Sequence, residues 1–236
     1  VNSILLFDFD GTIALGDGPV LAYARQVADG LGERGDGLVD GIRSALAAAE
    51  AGALDGYDAV RRAALERGAD AALLSSAYRA SREQLATAHA PITVPEGLAE
   101  LLAAAEGRAE RLLVTNAPAI RLDEALDALG LTGLFDRIVT SARKPAGLEA
   151  LLAELPSDIR VLSVGDIWHN DLAPAHARGH ATALLGGFPD PAATPTFRAS
   201  DFASLVPGIE TWLHAEAPAP VPSAHRTSTT STHIEG

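Results

Sequence analysis

Two aspartates one residue apart, Asp8 and Asp10, follow directly on an apolar run from Ile4 to Phe7. Such a run reads as a buried strand that meets its first charge where it leaves the sheet. In an extended chain, side chains two apart share a face, so both carboxylates are expected in one crevice. At about 4 Å and an effective dielectric near 20 their repulsion is about 4 kcal/mol, so the pair needs a cation or a shared proton. Gly11 permits a sharp turn, and Thr12 can bond local amides. The ordinary account of these residues is a strand end and turn with solvated aspartates.

Three later stretches repeat the design. Leu112–Val114 is an apolar run ending in Thr115 and Asn116. A hydroxyl and free backbone N–H groups there can hold a phosphoryl oxygen, although capping of the next helix explains the same residues. Lys144 is the sole lysine of the chain, in Ser141-Ala142-Arg143-Lys144-Pro145. A compact ammonium suits a tight anionic pocket in a way the guanidinium does not; otherwise it is a surface lysine before a proline-started helix. Val164-Gly165-Asp166 and the nearby Asp171 bring two more carboxylates to a strand end. They offer the hard oxygens that magnesium selects, or else a turn and a helix cap. Four acids and one lysine converging would leave a large negative excess, and that convergence implies a divalent cation.

The elements that must position these residues follow from the chain's patterning. Its 236 residues exceed one average domain, and 47% are hydrophobic, enough for a core with an insertion. A net charge of -13 and a pI near 4.8 argue against nucleic acid as a partner. With no cysteine, no apolar run near the ~18 residues of a membrane span, and a catalytic-looking strand that leaves no room for a signal peptide, the expectation is a soluble, cytoplasmic protein without membrane contact, monomer or homodimer.

Residues 20–27, 38–51, 57–67 and 71–87 have helical periodicity, the first introduced by Asp17 or Gly18 as cap with Pro19 in its first turn. Strand and helix then alternate: helix 96–105, strand 112–115, helix 120–129, strand 137–140, helix 146–155, strand 161–164, helix 172–178, strand 181–185 and a last helix 209–215. The pattern predicts an α/β fold with a doubly wound parallel sheet and an inserted all-helical domain. The expected divisions are 1–15 and 91–215 for the α/β core, 16–90 for the helical cap, and 216–236 for a disordered tail rich in Pro, Ala, Ser and Thr.

Asp8-Phe9-Asp10-Gly11-Thr12, Thr115, Lys144-Pro145 and Gly165-Asp166 with Asp171 five residues on resemble, in order, the four motifs of the haloacid dehalogenase-like hydrolase superfamily, in its phosphoglycolate-phosphatase-like branch. The resemblance implies a Rossmann-like core, a helical cap and a Mg2+-dependent phosphatase of small phosphorylated metabolites. Asp8 would be the nucleophile that becomes an aspartyl phosphate, and Asp10 the acid and then the base. Thr115, Asn116 and Lys144 would hold phosphoryl oxygens or balance their charge. Asp8, Asp166 and Asp171, with the backbone carbonyl of Asp10, would hold magnesium. Dehalogenases of this family lack the second aspartate, and the phosphonate-cleaving branch needs a cap lysine that this chain does not have. Relatives usually carry an acidic residue and Ser or Thr shortly after the first motif, where this chain has Leu15 and Gly16. The alternatives are a phosphosugar mutase of the same family and a non-enzymatic phosphoacceptor or binding protein. Arg43, Arg61 and Arg62 are candidate contacts to an anionic substrate, although helix arginines are usually solvated. His169 lies within the fourth motif, and His176 and His180 have the spacing of a metal pair against a background of surface exposure.

Overall fold

In the computed structural model, which describes residues 2–48, 53–186 and 190–215, the opening apolar run becomes β1 (Ser3–Phe7), the centre of a sheet. Five more strands join it: β2 (Glu110–Val114), β3 (Arg137–Val139), β4 (Arg160–Gly165), β5 (Ala181–Leu185) and β6 (Phe197–Ala199). Their order is β3-β2-β1-β4-β5-β6 and every pairing is parallel. Parallel strands need crossovers that cover both faces, which is why β1, β2, β4 and β5 are apolar and buried almost throughout.

The two-residue period of β1 sorts its side chains between two cores. Leu5 and Phe7 join Leu113, Leu162 and Val164 under α5 (Leu98–Ala104), α6 (Leu122–Ala128) and α9 (Phe202–His214). Ile4 and Leu6 join Leu112, Val114 and Val161 under α7 (Ala146–Ala153) and α8 (Ala173–His176). Each such side chain stabilises the fold by about 1.5–3 kcal/mol. The chain leaves β1, builds out to β3, then returns to the other side of β1 as β4. Loops at the carboxyl ends of β1 and β4 therefore diverge and leave a crevice between them, the usual ligand position in open α/β sheets.

Between β1 and β2 the chain forms α1 (Gly18–Leu31), α2 (Leu38–Ala48), α3 (Gly56–Glu66) and α4 (Ala71–Arg82), with a core of their own that includes Tyr23, Val27, Leu38, Ile42, Val60 and Ala64. Asp55 and Asp70 cap α3 and α4, accepting the N–H groups of Asp58 and Leu73. The two passages to the sheet side lie together: Leu15 and Thr93 exchange both backbone hydrogen bonds at 2.9 Å.

Several element bounds differ from expectation. The predicted helix 71–87 stops at Arg82, because the chain must turn to bury Leu85 in the sheet-side core; Ala86 takes a left-handed φ of 59° there. Asp17 precedes α1 without bonding it through its side chain. The last helix begins at Phe202, seven residues early, with Asp201 accepting the Ser204 N–H; Pro207, which discouraged a longer helix, sits inside it. Strand β6 was not expected at all. Of the predicted helix 38–51, residues 49–51 lie outside the described residues, as does all of the expected tail 216–236. Among the described residues no helix is long and apolar enough to cross a membrane.

Candidate active site

The strand tips bring most of the singled-out side chains together. Lys144 Nζ donates to Asp8 Oδ1 at 2.5 Å and to Asp171 Oδ1 at 2.7 Å, and all three residues are buried. Oxygens of Asp8, Asp166 and Asp171 lie within 4.8 Å of one another, the one such group of potential metal ligands among the described residues. Two glycines make this approach possible. A Cβ on Gly165 would stand 2.4 Å from that of Asp171, and one on Gly11, whose φ is +82°, would stand 2.4 Å from Asp166 Oδ2.

The chain bends at Phe9 instead of staying extended, yet Asp8 and Asp10 still line one cavity of about 180 Å³ with Thr115, Asn116, Lys144 and Asp171. The expected role for Thr12 fails: its hydroxyl is buried and has no hydrogen-bond partner. Thr115 and Asn116 do not cap the next helix, which begins only at Leu122 after Arg121. Thr115 Oγ1 accepts the Ala117 N–H at 3.0 Å. The Asn116 side chain accepts the Lys144 N–H at 2.6 Å and donates to the Lys144 carbonyl, so it clamps the lysine's backbone. With Ser141 and Ala142 also bonded to Ala117 and Thr115, one strand-end loop holds the other in register.

Asp171 is not a helix cap either. The predicted helix 172–178 shortens to α8, and a wide π-type turn, Trp168–Leu172, precedes it. That turn points Asp171 inward, where Oδ2 accepts the Ile167 N–H and Oδ1 meets Lys144. The helix face that would have paired His176 with His180 does not form, because α8 ends at His176. His169 is exposed and faces a separate cavity with Pro145, Glu149 and Arg178. Arg43 pairs with Asp40, and Arg61 and Arg62 with Asp58, on the outside of the helical unit.

Electrostatically the cluster is short of positive charge. Burial, opposed by Lys144 and reinforced by Asp171, pushes the Asp8 carboxyl up to about 7. Burial, and then the charges of Asp8 and Asp171, raise Asp166 well above the carboxylate range. Burial alone would lower Lys144, but Asp8 and Asp171 outweigh it and hold the ammonium charged. Asp166 Oδ1 is buried without any partner. An orphaned carboxylate oxygen in an all-oxygen set with excess negative charge fits a hard divalent cation.

Three contributors went unnoticed in the sequence. Arg82, the last residue of α4, is buried and donates through Nη1 to both oxygens of Asp10 at 2.8 and 3.1 Å. The Tyr57 hydroxyl donates to Asp10 Oδ1 at 3.3 Å. Asp55 lines the cavity wall beside them. An arginine at a helix end beside Ser81 and Glu83 has the pattern of a solvated surface, and no local signal separates it from Arg79.

The comparisons with known proteins agree with this architecture. The haloacid dehalogenase-like hydrolase family model matches residues 3–179. No curated protein is significantly similar in sequence. Similar solved structures include a HAD-hydrolase of Bacillus subtilis, YfnB, bound to magnesium, at 20% identity and TM-score 0.58, covering 89% of this chain and 99% of that one. A predicted phosphoglycolate phosphatase from Haemophilus somnus has 21% identity and TM-score 0.57, with 87% and 97% covered. An L-2-haloacid dehalogenase from Xanthobacter autotrophicus has 16% identity and TM-score 0.54, with 89% and 98% covered.

Proposed function

Because the chain belongs to the haloacid dehalogenase-like hydrolase family, we propose that it is a phosphatase of small phosphorylated metabolites, acting through an aspartyl phosphate on Asp8. The observation that carries the reading is the buried cluster of Asp8, Lys144, Asp171 and Asp166 at the carboxyl ends of β1 and β4. Similar folds serve phosphatases and dehalogenases, so fold alone does not choose between them. Asp10 favours phosphate. An ester oxygen must be protonated as it leaves, whereas a departing halide needs no proton.

In the first step an Asp8 oxygen attacks phosphorus, the bond from phosphorus to the ester oxygen breaks, and that oxygen takes a proton from Asp10. In the second, water attacks the same phosphorus, gives its proton to Asp10, and releases Asp8 with phosphate. Lys144 stands over Asp8 with its charge fixed, and the backbone N–H of Asn116 with the Thr115 hydroxyl would hold phosphoryl oxygens. Asp8, Asp166 and Asp171, with the Asp10 carbonyl, would hold magnesium, which when bound neutralises phosphoryl charge and keeps Asp8 ionised at neutral pH.

The helical unit serves in this reading as a cap. Arg82 and Tyr57 reach down from α4 and α3 to hold Asp10, so the acid and base is oriented only while that unit is seated. The paired passages at Leu15 and Thr93 form the natural hinge, in place of the missing acidic and hydroxyl residues at Leu15 and Gly16. Magnesium-dependent release of phosphate from p-nitrophenyl phosphate tests the function. Turnover by wild type with none in Asp8→Asn is expected; equal rates in the two would end the proposal.

A further inference from the structure

A second cavity, of about 280 Å³, opens beside the reaction centre, and Asp10, Asp55 and Tyr57 form the wall common to both. Its volume is about nine waters, enough for a small alcohol. Its charged lining is acidic throughout: Asp10, Asp17, Asp55 and Asp166, with no basic residue among the described ones, and apolar Val20 and Leu46 opposite. Resting on the phosphatase reading, we infer that the group esterified to phosphate is a small alcohol without any acidic substituent, and that Asp55 accepts a hydrogen bond from its hydroxyl or ammonium donor.

The four carboxylates of this wall are not equivalent. Arg82 already balances Asp10, Asp166 belongs to the metal group, and Asp17 is exposed. Asp55 remains. Its Oδ1 accepts the Asp58 N–H, and among the described residues no basic side chain pairs with it, whereas Asp58, one turn on, holds two arginines. Its second oxygen has no protein donor among the described residues and leaves an acceptor free on the cavity, and burial raises the proton affinity of the group.

Arg82 is the one arginine near enough to suggest an anionic substrate, and its position forbids that use. It lies behind Asp10 and lines neither cavity. The segment between α2 and α3 outside the described residues, 49–52, contains no basic residue in its sequence. The three tyrosines of the chain, Tyr23, Tyr57 and Tyr78, have ring centroids 5.7–6.0 Å apart, with Tyr78 edge-on to the other two, and Tyr57 and Tyr78 reach the reaction cavity. Aromatic faces beside a carboxylate suit a hydroxyl or an ammonium and repel a carboxylate or second phosphate.

Three two-carbon esters of similar size test the assignment: 2-aminoethyl, 2-hydroxyethyl and carboxymethyl phosphate, each with the full chain and magnesium. The carboxymethyl ester is expected to have a kcat/KM at least about tenfold below the better of the other two, which also tells an ammonium from a hydroxyl donor. Asp55→Asn and Asp55→Ser, both able to cap α3, should shrink that gap about tenfold. A carboxymethyl ester turned over as fast as the others, or a gap unchanged in both variants, overturns the inference while leaving the phosphatase reading intact. Failure to hydrolyse all three esters and p-nitrophenyl phosphate overturns both.

Discussion

At its amino end β2 carries a matched ion pair, and at its carboxyl end it abuts a cluster that is not matched. Arg111 donates from its backbone N–H, Nε and Nη2 to the two oxygens of Asp136, and its Nη1 reaches the Leu102 carbonyl. One cation meets one anion, and the Asp136 carboxyl is held down at about 2 by those hydrogen bonds. Five residues along, beyond Thr115, a single ammonium faces Asp8 and Asp171 with Asp166 beside them, and both Asp8 and Asp166 are driven upward. The same strand thus runs from a partly exposed ion pair to a buried cluster. A balanced pair ties β2 to the start of β3, whereas the unbalanced cluster carries an excess of negative charge that suits a hard cation.

The largest break in this contrast comes from Asp8→Asn, expected to lower magnesium-dependent phosphate release by at least about 10³-fold in a steady-state assay. Lys144→Ala should cost about 10²–10³-fold in kcat and, by leaving Asp8 and Asp171 unpaired, destabilise the metal-free protein by about 3 kcal/mol in urea unfolding. Arg82→Gln should lower kcat about 10–100-fold for alkyl phosphates and less for p-nitrophenyl phosphate, whose leaving group needs no proton; equal losses on both would deny Arg82 any influence through Asp10.

Asp166→Asn sharpens the comparison from the other side. With one excess charge removed, unfolding without metal should occur about 1–2 kcal/mol higher, and the gain on adding magnesium should vanish. A stability loss without metal would contradict the charge excess. The smallest effect belongs to Asp136→Asn at the balanced end, about 1 kcal/mol at pH 7 after solvent screening, with activity unchanged. Its sign follows from a depressed folded-state carboxyl: the stabilisation is full above the unfolded value near 4 and disappears as pH falls towards 2. Wild-type and variant urea midpoints should therefore converge over that interval.

How much was legible divides along similar lines. The strands of the inner sheet were readable because a run buried on both faces is mainly apolar; in β1 and β2 the first polar residue after the run marks the tip, while β4 and β5 each also hold one buried hydroxyl, Ser163 and Thr182. Edge strand β6, with a half-buried Phe197 and an exposed Arg198, has no such contrast. Pro207 concealed the first half of α9, since a proline inside a helix removes one backbone donor and reads as a stop. The π-type turn that directs Asp171 inward has no periodic signature in the sequence, because hydrogen bonds from Ile167 and Lys144 decide its shape.

The order of apolar runs, the acidic and hydroxyl residues at their ends and the single lysine are properties of the chain itself, and they determined the α/β class and the set of side chains worth watching. Strand period and burial are local, so they leave a mark on composition. The meeting of Arg82 and Tyr57 with Asp10, and of Asp55 with the same cavity wall, was decided only when α3 and α4 closed over the sheet, across sequence separations of 72, 47 and 45 residues. No periodicity records such a meeting, because it depends on where two separately packed units come to rest against each other.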